Sequence, residues 1–145
     1  VPYKFYDFCS NFESEWSISV AQDTLVDREE VGLHLLDELD KAAFPFSALM
    51  WVFYPEADQW RLLLATDLAD KTSTVQEILL TLDKIIDAST NEMPDLADIS
   101  IVSPNEPIIK AVSRVISVTG RSSVFMSKNS FNGIYVDELI VFRTS

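Results

Sequence analysis

Glycine, cysteine and histidine are scarce in this sequence, and each shortage removes a class of chemistry. The three glycines, Gly32, Gly120 and Gly133, stand far apart. A loop that cradles phosphate needs several glycines close together, so neither a P-loop nor a dinucleotide fingerprint is present. Cys9 is the single cysteine; no internal disulfide can form, and a reducing cytoplasm is the natural setting. With His34 as the sole histidine, zinc sites of the Cys/His kind and haem attachment are excluded, and nucleophilic catalysis through an imidazole would have to use His34. Long apolar runs are missing too. The longest, Ala48 to Tyr54, has seven residues, against the ~18 that a membrane span requires. The opening residues carry Asp7, Glu13 and Glu15 where a signal peptide has a basic and then an apolar region. A start at Val1 rather than Met fits processing, trimming or further residues upstream.

What is present suits a folded domain. Hydrophobic residues make up 48% of 145 positions and charged residues 23%, too apolar for disorder. A chain of this length buries roughly 70% of its unfolded surface. The expectation is one globular domain over residues 1–145, with 1–15, rich in aromatics but without a period, as an irregular arm. Net charge is −12 and uneven. Residues 101–145 hold Lys110, Arg114, Arg121, Lys128 and Arg143 against Glu106, Asp137 and Glu138, a balance of +2, which leaves −14 on residues 1–100. The acidic part should repel nucleic acid and anionic membranes.

Along the chain, Trp16, Ile18 and Val20 alternate with serines and predict a short strand, or an earlier start of the helix that follows. That helix is expected from Asp27 to Ala43, with Asp27 and Glu30 at N-cap and N3 spacing and Pro45 as its stop. Its stripe is Val31, Leu35, Leu36, Leu39, Ala42 and Ala43. Ala48–Tyr54 and Gln59–Thr66 read as a hairpin around "PEAD", and their continuous apolar stretches mark strands covered on both faces. Val75, Ile78, Leu79, Leu82, Ile85 and Ile86 form the clearest helical face, capped by Ser73 with Gln76 or Thr74 with Glu77. A strand over Asp98–Ser103 precedes a helix with Ser103, Pro104 and Glu106 at N-cap, N1 and N3, a buried stripe of Ile108, Ile109, Val112, Val115 and Ile116, and Gly120 at its end.

Polar side chains gather most densely in "SKNSFNGIYVDE", Ser127 to Glu138. Asn132-Gly133 is the strongest short signal for a two-residue type I′ hairpin. It sets Phe131 opposite Ile134, Ser130 opposite Tyr135, Lys128 opposite Asp137, Met126 opposite Leu139, Phe125 opposite Ile140 and Val124 opposite Val141. Apolar meets apolar and a lysine meets an acid. Adjacent strand residues point to opposite faces, so Asp137 and Glu138 are not expected to act together as a paired metal-binding carboxylate site.

His34, with Glu30 and Glu38 one turn away on either side, reads as a polar-face residue rather than a general base, because no nucleophile is tied to it by spacing. In "DELD", Asp37 should lie near Lys41, with Glu38 apart from both, as a solvated ion-paired face rather than a metal site. Lys110, Arg114, Arg121 and Lys128 could contact phosphate or RNA, but the footprint is thin, and pairing with this protein's own acids or an acidic partner fits as well. Trp51, Trp60 and Tyr54 suit an interface, a pocket or simply the core.

The stretches "MWVFYPEADQWRLLLAT", "DISIVSPNEPIIKAV" and "SKNSFNGIYVDELIVFR" together resemble a group of small uncharacterised bacterial proteins with the same order of segments, over about residues 48–143. The resemblance implies a bacterial source and carries no activity, cofactor or catalytic residue. The segment order predicts an α/β (or α+β) fold: a mixed, mostly five-stranded sheet with antiparallel hairpins at both ends of the chain, about three helices packed on it and two βαβ crossovers. The functional expectation is a non-catalytic protein-interaction module, self-associating or binding another protein. It carries no metal, no cofactor and no catalytic residue, and its candidate surface comprises Lys110, Arg114, Arg121, Lys128, Tyr135, Trp51 and Trp60. The alternative is a small-ligand-binding protein or a carboxylate-dependent hydrolase or transferase using Lys128, Tyr135, Asp137 and Glu138.

Overall fold

The structure, a computed structural model, describes residues 13–70 and 75–144, with the backbone alone for 13–24. Most of the aromatic arm, Cys9 and the helix caps at Ser73 and Thr74 lie outside the described residues. The chain divides into two units, residues 1–30 and 31–145. In the first, every described residue is helical: α1 runs Glu13–Lys41, so of the two readings of Trp16–Val20 the strand is not formed and the earlier helix start is. Asp27 is an interior helical residue and not an N-cap.

The second unit opens with the last turns of α1 and contains β1 (Ala48–Tyr54), β2 (Gln59–Ala65), α2 (Val75–Asp87), β3 (Ile99–Val102), α3 (Pro107–Val115), β4 (Val124–Phe131) and β5 (Ile134–Arg143). It is an α/β fold with one five-stranded mixed sheet in the order β3-β2-β1-β5-β4. β2 and β3 are parallel neighbours joined through α2, as a βαβ unit requires. The second crossover is not one. β4 sits at the opposite edge, and the antiparallel β2–β1, β1–β5 and β5–β4 pairings leave it running against β3. The two hairpins meet at mid-sheet where β1 pairs with β5. No described helix is long and apolar enough to cross a membrane.

Strand alternation divides the core. Ala48, Met50, Val52, Leu63, Ala65, Leu139 and Val141 pack in one cluster with Ile109, Ala111, Val112 and Ile116 around α3. Leu49, Trp51, Leu62, Leu64, Ile140 and Phe142 point the other way along the same strands and are likewise buried. There α1 approaches β5 so closely that a Cβ at Gly32 would overlap the Phe142 ring. Both faces of β1 and β2 are covered, as their unbroken apolar runs predict.

Helix ends depart from expectation for stated reasons. α1 stops at Lys41 by a Schellman motif: Phe44 N–H bonds Leu39 O at 3.0 Å, Ala43 N–H bonds Asp40 O at 3.1 Å, and Ala43 takes φ 54°. Ala42 and Ala43 are exposed. α3 starts at Pro107, not Pro104, with Glu106 at N-cap and no side-chain cap. A start at Pro104 would place Pro107 at N4, where its ring meets the carbonyl of residue 103 and the first intrahelical bond loses its donor. Ser103 instead accepts Asn105 N–H at 3.0 Å and donates to Asp70 at 2.7 Å. α3 ends at Val115, 65% exposed, with Ile116 as C-cap, short of Gly120.

Candidate functional site

The C-terminal hairpin forms in the expected register, with Asn132 and Gly133 at φ 50° and 84°. One rung is missing. Lys128 adopts φ 52°, and the Lys128–Asp137 pair drops out of the ladder while pairs on either side keep register. Phe131 and Val136 then join the same core cluster as Leu139 and Val141, which strict alternation would forbid. The skipped residue on each strand lets both strands exchange faces at that point.

Glu138 lies next to this break, opposite Ser127. Its carboxyl is pushed above the usual range, first by burial and then by the neighbouring Asp137, with Lys128 opposing. Tyr135, 59% exposed, points its hydroxyl to Asp137 Oδ1 at 3.5 Å. Asp137 thus acts on Glu138 electrostatically. A second polar group lies at the end of β1: Tyr54 is raised above its ordinary value by burial, with Arg61 opposing and Glu106 reinforcing. Arg61 itself is fully engaged, donating to Ser100 Oγ at 2.8 and 3.0 Å, Ala97 O at 2.7 Å and Ile99 O at 3.2 Å.

The other residues singled out in the sequence scatter. Lys110 and Arg114 are exposed on α3. Arg121 grips Asp37 of α1 through Nε at 2.9 and 3.0 Å. Arg143 holds Asp40 at 2.7 and 3.0 Å, reaches Gly120 O and lies over Phe46. So Asp37 pairs with Arg121 rather than Lys41, whose contact is Glu38 at 3.5 Å. Trp51 is 1% exposed within the sheet, and half-buried Trp60 stacks at a tilt on Phe53, 5.4 Å between centroids. His34 Nδ1 lies 2.8 Å from Glu92 O and ties α1 to the loop after α2. No group of three or more metal-ligating side chains occurs among the described residues.

The surface that sequence reasoning passed over is the outside of α2. Ile78 and Leu82 are buried, yet Val75 is 51% and Leu80 62% exposed. Ile78-Leu79-Leu80 is the signal: three successive helical residues span about 200°, more than one sheet can cover. On one flank of α2 a small groove of about 180 Å³ is lined by Phe44, Pro45, Leu68, Glu77, Ile78 and Thr81. On the other, a larger open groove of about 430 Å³ runs between Gln76, Leu79, Leu80 and Asp83 and the 3-10 turn Leu96–Asp98, with Leu96 as its far wall. Against protein-family models, curated proteins and solved structures, the chain matches none.

Proposed function

We propose that this protein is a non-catalytic protein-interaction module that docks a partner on the outer side of α2. The observation that carries the reading is the groove there: Leu80, 62% exposed, lines it together with Leu79 and Leu96, an open apolar concavity of the kind that recognition surfaces use. Strand pairing is a poor competing route. β4, one sheet edge, is broken by Lys128 at positive φ, and β3, the other, has four residues; short strands and charged kinks are how edges are protected from pairing. A cytoplasmic setting fits the single cysteine, and the partner is a second copy or another protein.

Photo-crosslinking from a benzophenone side chain at position 80, with position 58 in the β1–β2 turn as control, tests this. A discrete adduct from position 80 only, at twice the 16.4 kDa chain mass or at a heterologous mass, is expected. Equal or no labelling at both positions refutes it.

A second reading has one observation behind it. Glu138 with a raised pKa beside Asp137 is the arrangement of a general acid next to a general base, which supports a carboxylate-dependent or small-ligand site at the hairpin. Its requirement is that any turnover found for this protein falls by at least about 100-fold in Glu138→Gln; an activity that survives the change removes it.

A further inference from the structure

We infer that the larger groove beside α2 takes an amphipathic, lysine- or arginine-rich helix from another protein; this rests on the docking role of α2 proposed above. Leu79, Leu80 and Leu96 offer apolar contact, and Gln76 and Asp83 form a polar rim. The groove is open, so its occupant lies along it instead of being enclosed.

Charge selects the sign of that occupant. Between Asp67 and Asp98 the sequence holds eight acids against two lysines, and every one of those acids except Asp98 is exposed. Lys84 is the single base on α2. An acidic partner would be repelled, and a basic one steered in and held at the rim.

Backbone chemistry selects its conformation. An extended peptide needs main-chain partners at a sheet edge, but Arg61 already occupies the carbonyls of Ala97, in the 3-10 turn, and Ile99, at the start of β3. Two acceptors that an added strand would use there are therefore taken. A helix, whose backbone groups are satisfied internally, suits the groove, with anchors at i, i+3 or i+4, and i+7. This chain's own basic helix cannot supply them: α3 has nine residues and commits Ile109 and Val112 to the core, leaving Val115 beside Lys110 and Arg114.

The test is fluorescence anisotropy with a labelled synthetic leucine/lysine amphipathic helix, its leucine/glutamate counterpart, and Leu80→Asp. Leu80 is 62% exposed, so the variant should fold, as circular dichroism and an unchanged melting point would verify. The lysine helix is expected to bind, the glutamate helix not, and Leu80→Asp to weaken binding by about tenfold or more. The substitution adds a negative charge, so attraction by bulk charge alone would leave binding unchanged or tighten it. Either of those results, or no binding of the lysine helix, overturns the proposal. Amide shifts on titration should concentrate at Leu79, Leu80, Asp83 and Leu96; shifts confined elsewhere would also overturn it. A position-80 adduct formed with no affinity for the lysine helix would leave docking on α2 standing while removing the basic-helix partner.

Discussion

At Ala43 the chain leaves α1 with φ 54°, a conformation that costs an L-residue roughly 1–2 kcal/mol and a glycine almost nothing. The Schellman bonds from Ala43 and Phe44, with buried Phe44 following Leu39, hold it there. Ala43→Gly should therefore stabilise the protein by about 0.5–1 kcal/mol after the added chain entropy, seen as a higher urea midpoint with an unchanged slope. Thr144 is a stronger constraint. Its buried hydroxyl accepts Val118 N–H at 3.1 Å and donates to Ile116 O at 2.7 Å, so Thr144→Val strands two backbone groups at a cost of about 1–3 kcal/mol; a midpoint shift near zero would refute this. Glu138 titrates in the unusual direction. Its folded pKa lies above the ordinary 4.5, so the native state binds the proton more tightly and stability falls as pH rises from that value through the folded pKa. Glu138→Gln should melt higher than the parent at pH 7, and the gap should close below about pH 4; a gap independent of pH would contradict the assignment.

Gly32 matters at the scale of elements because it sets how closely α1 meets β5. Helix propensity alone favours Gly32→Ala by about 1 kcal/mol, but the new Cβ would overlap the Phe142 ring, which is wholly buried. Overpacking of that kind costs about 1–3 kcal/mol, so a net loss of stability is expected; a gain would mean the helix can lift freely. Nothing in the sequence around Gly32 announces Phe142 as its neighbour, 110 positions on. Features that depend on neighbouring residues were legible: Asn132-Gly133 fixed the turn and its register, and the apolar runs of β1 and β2 marked central strands. At the start of α3 two local signals competed, and the sequence reading chose the wrong one. Ser103–Glu106 resembles a capping box, yet Pro107 decides the start of α3. Alternation at Trp16–Val20 was too short to distinguish a strand from a continuing helix. The break at Lys128 had no local signal, since lysine is not a residue that favours positive φ. Leu80 was legible in principle, as the apolar residue on the wrong side of the stripe.

Charge organises the second unit as a whole. The excess positive charge of the C-terminal third is partly paired off, with Arg121 and Arg143 reaching back 84 and 103 residues to Asp37 and Asp40 on the last turns of α1. That commits two of the five basic residues to ion pairs with α1. The two pairs should nonetheless differ in weight. Arg121 and Asp37 are 56% and 40% exposed, the regime where an ion pair contributes about 0–1 kcal/mol and weakens in salt. Arg143 is 22% exposed, grips Asp40 with two bonds, donates to Gly120 O at 3.0 Å and covers the Phe46 ring, so truncating it also removes packing. Arg143→Ala should cost about 1–2 kcal/mol more than Arg121→Ala. Raising salt should erase much of the Arg121 effect and little of the Arg143 effect. Chemical denaturation of both variants in urea, at low and high sodium chloride, reads this directly. Equal losses that vanish together in salt would show that Arg143 acts by charge alone, and that its contacts with Gly120 and Phe46 add nothing to the closure between α1 and β5.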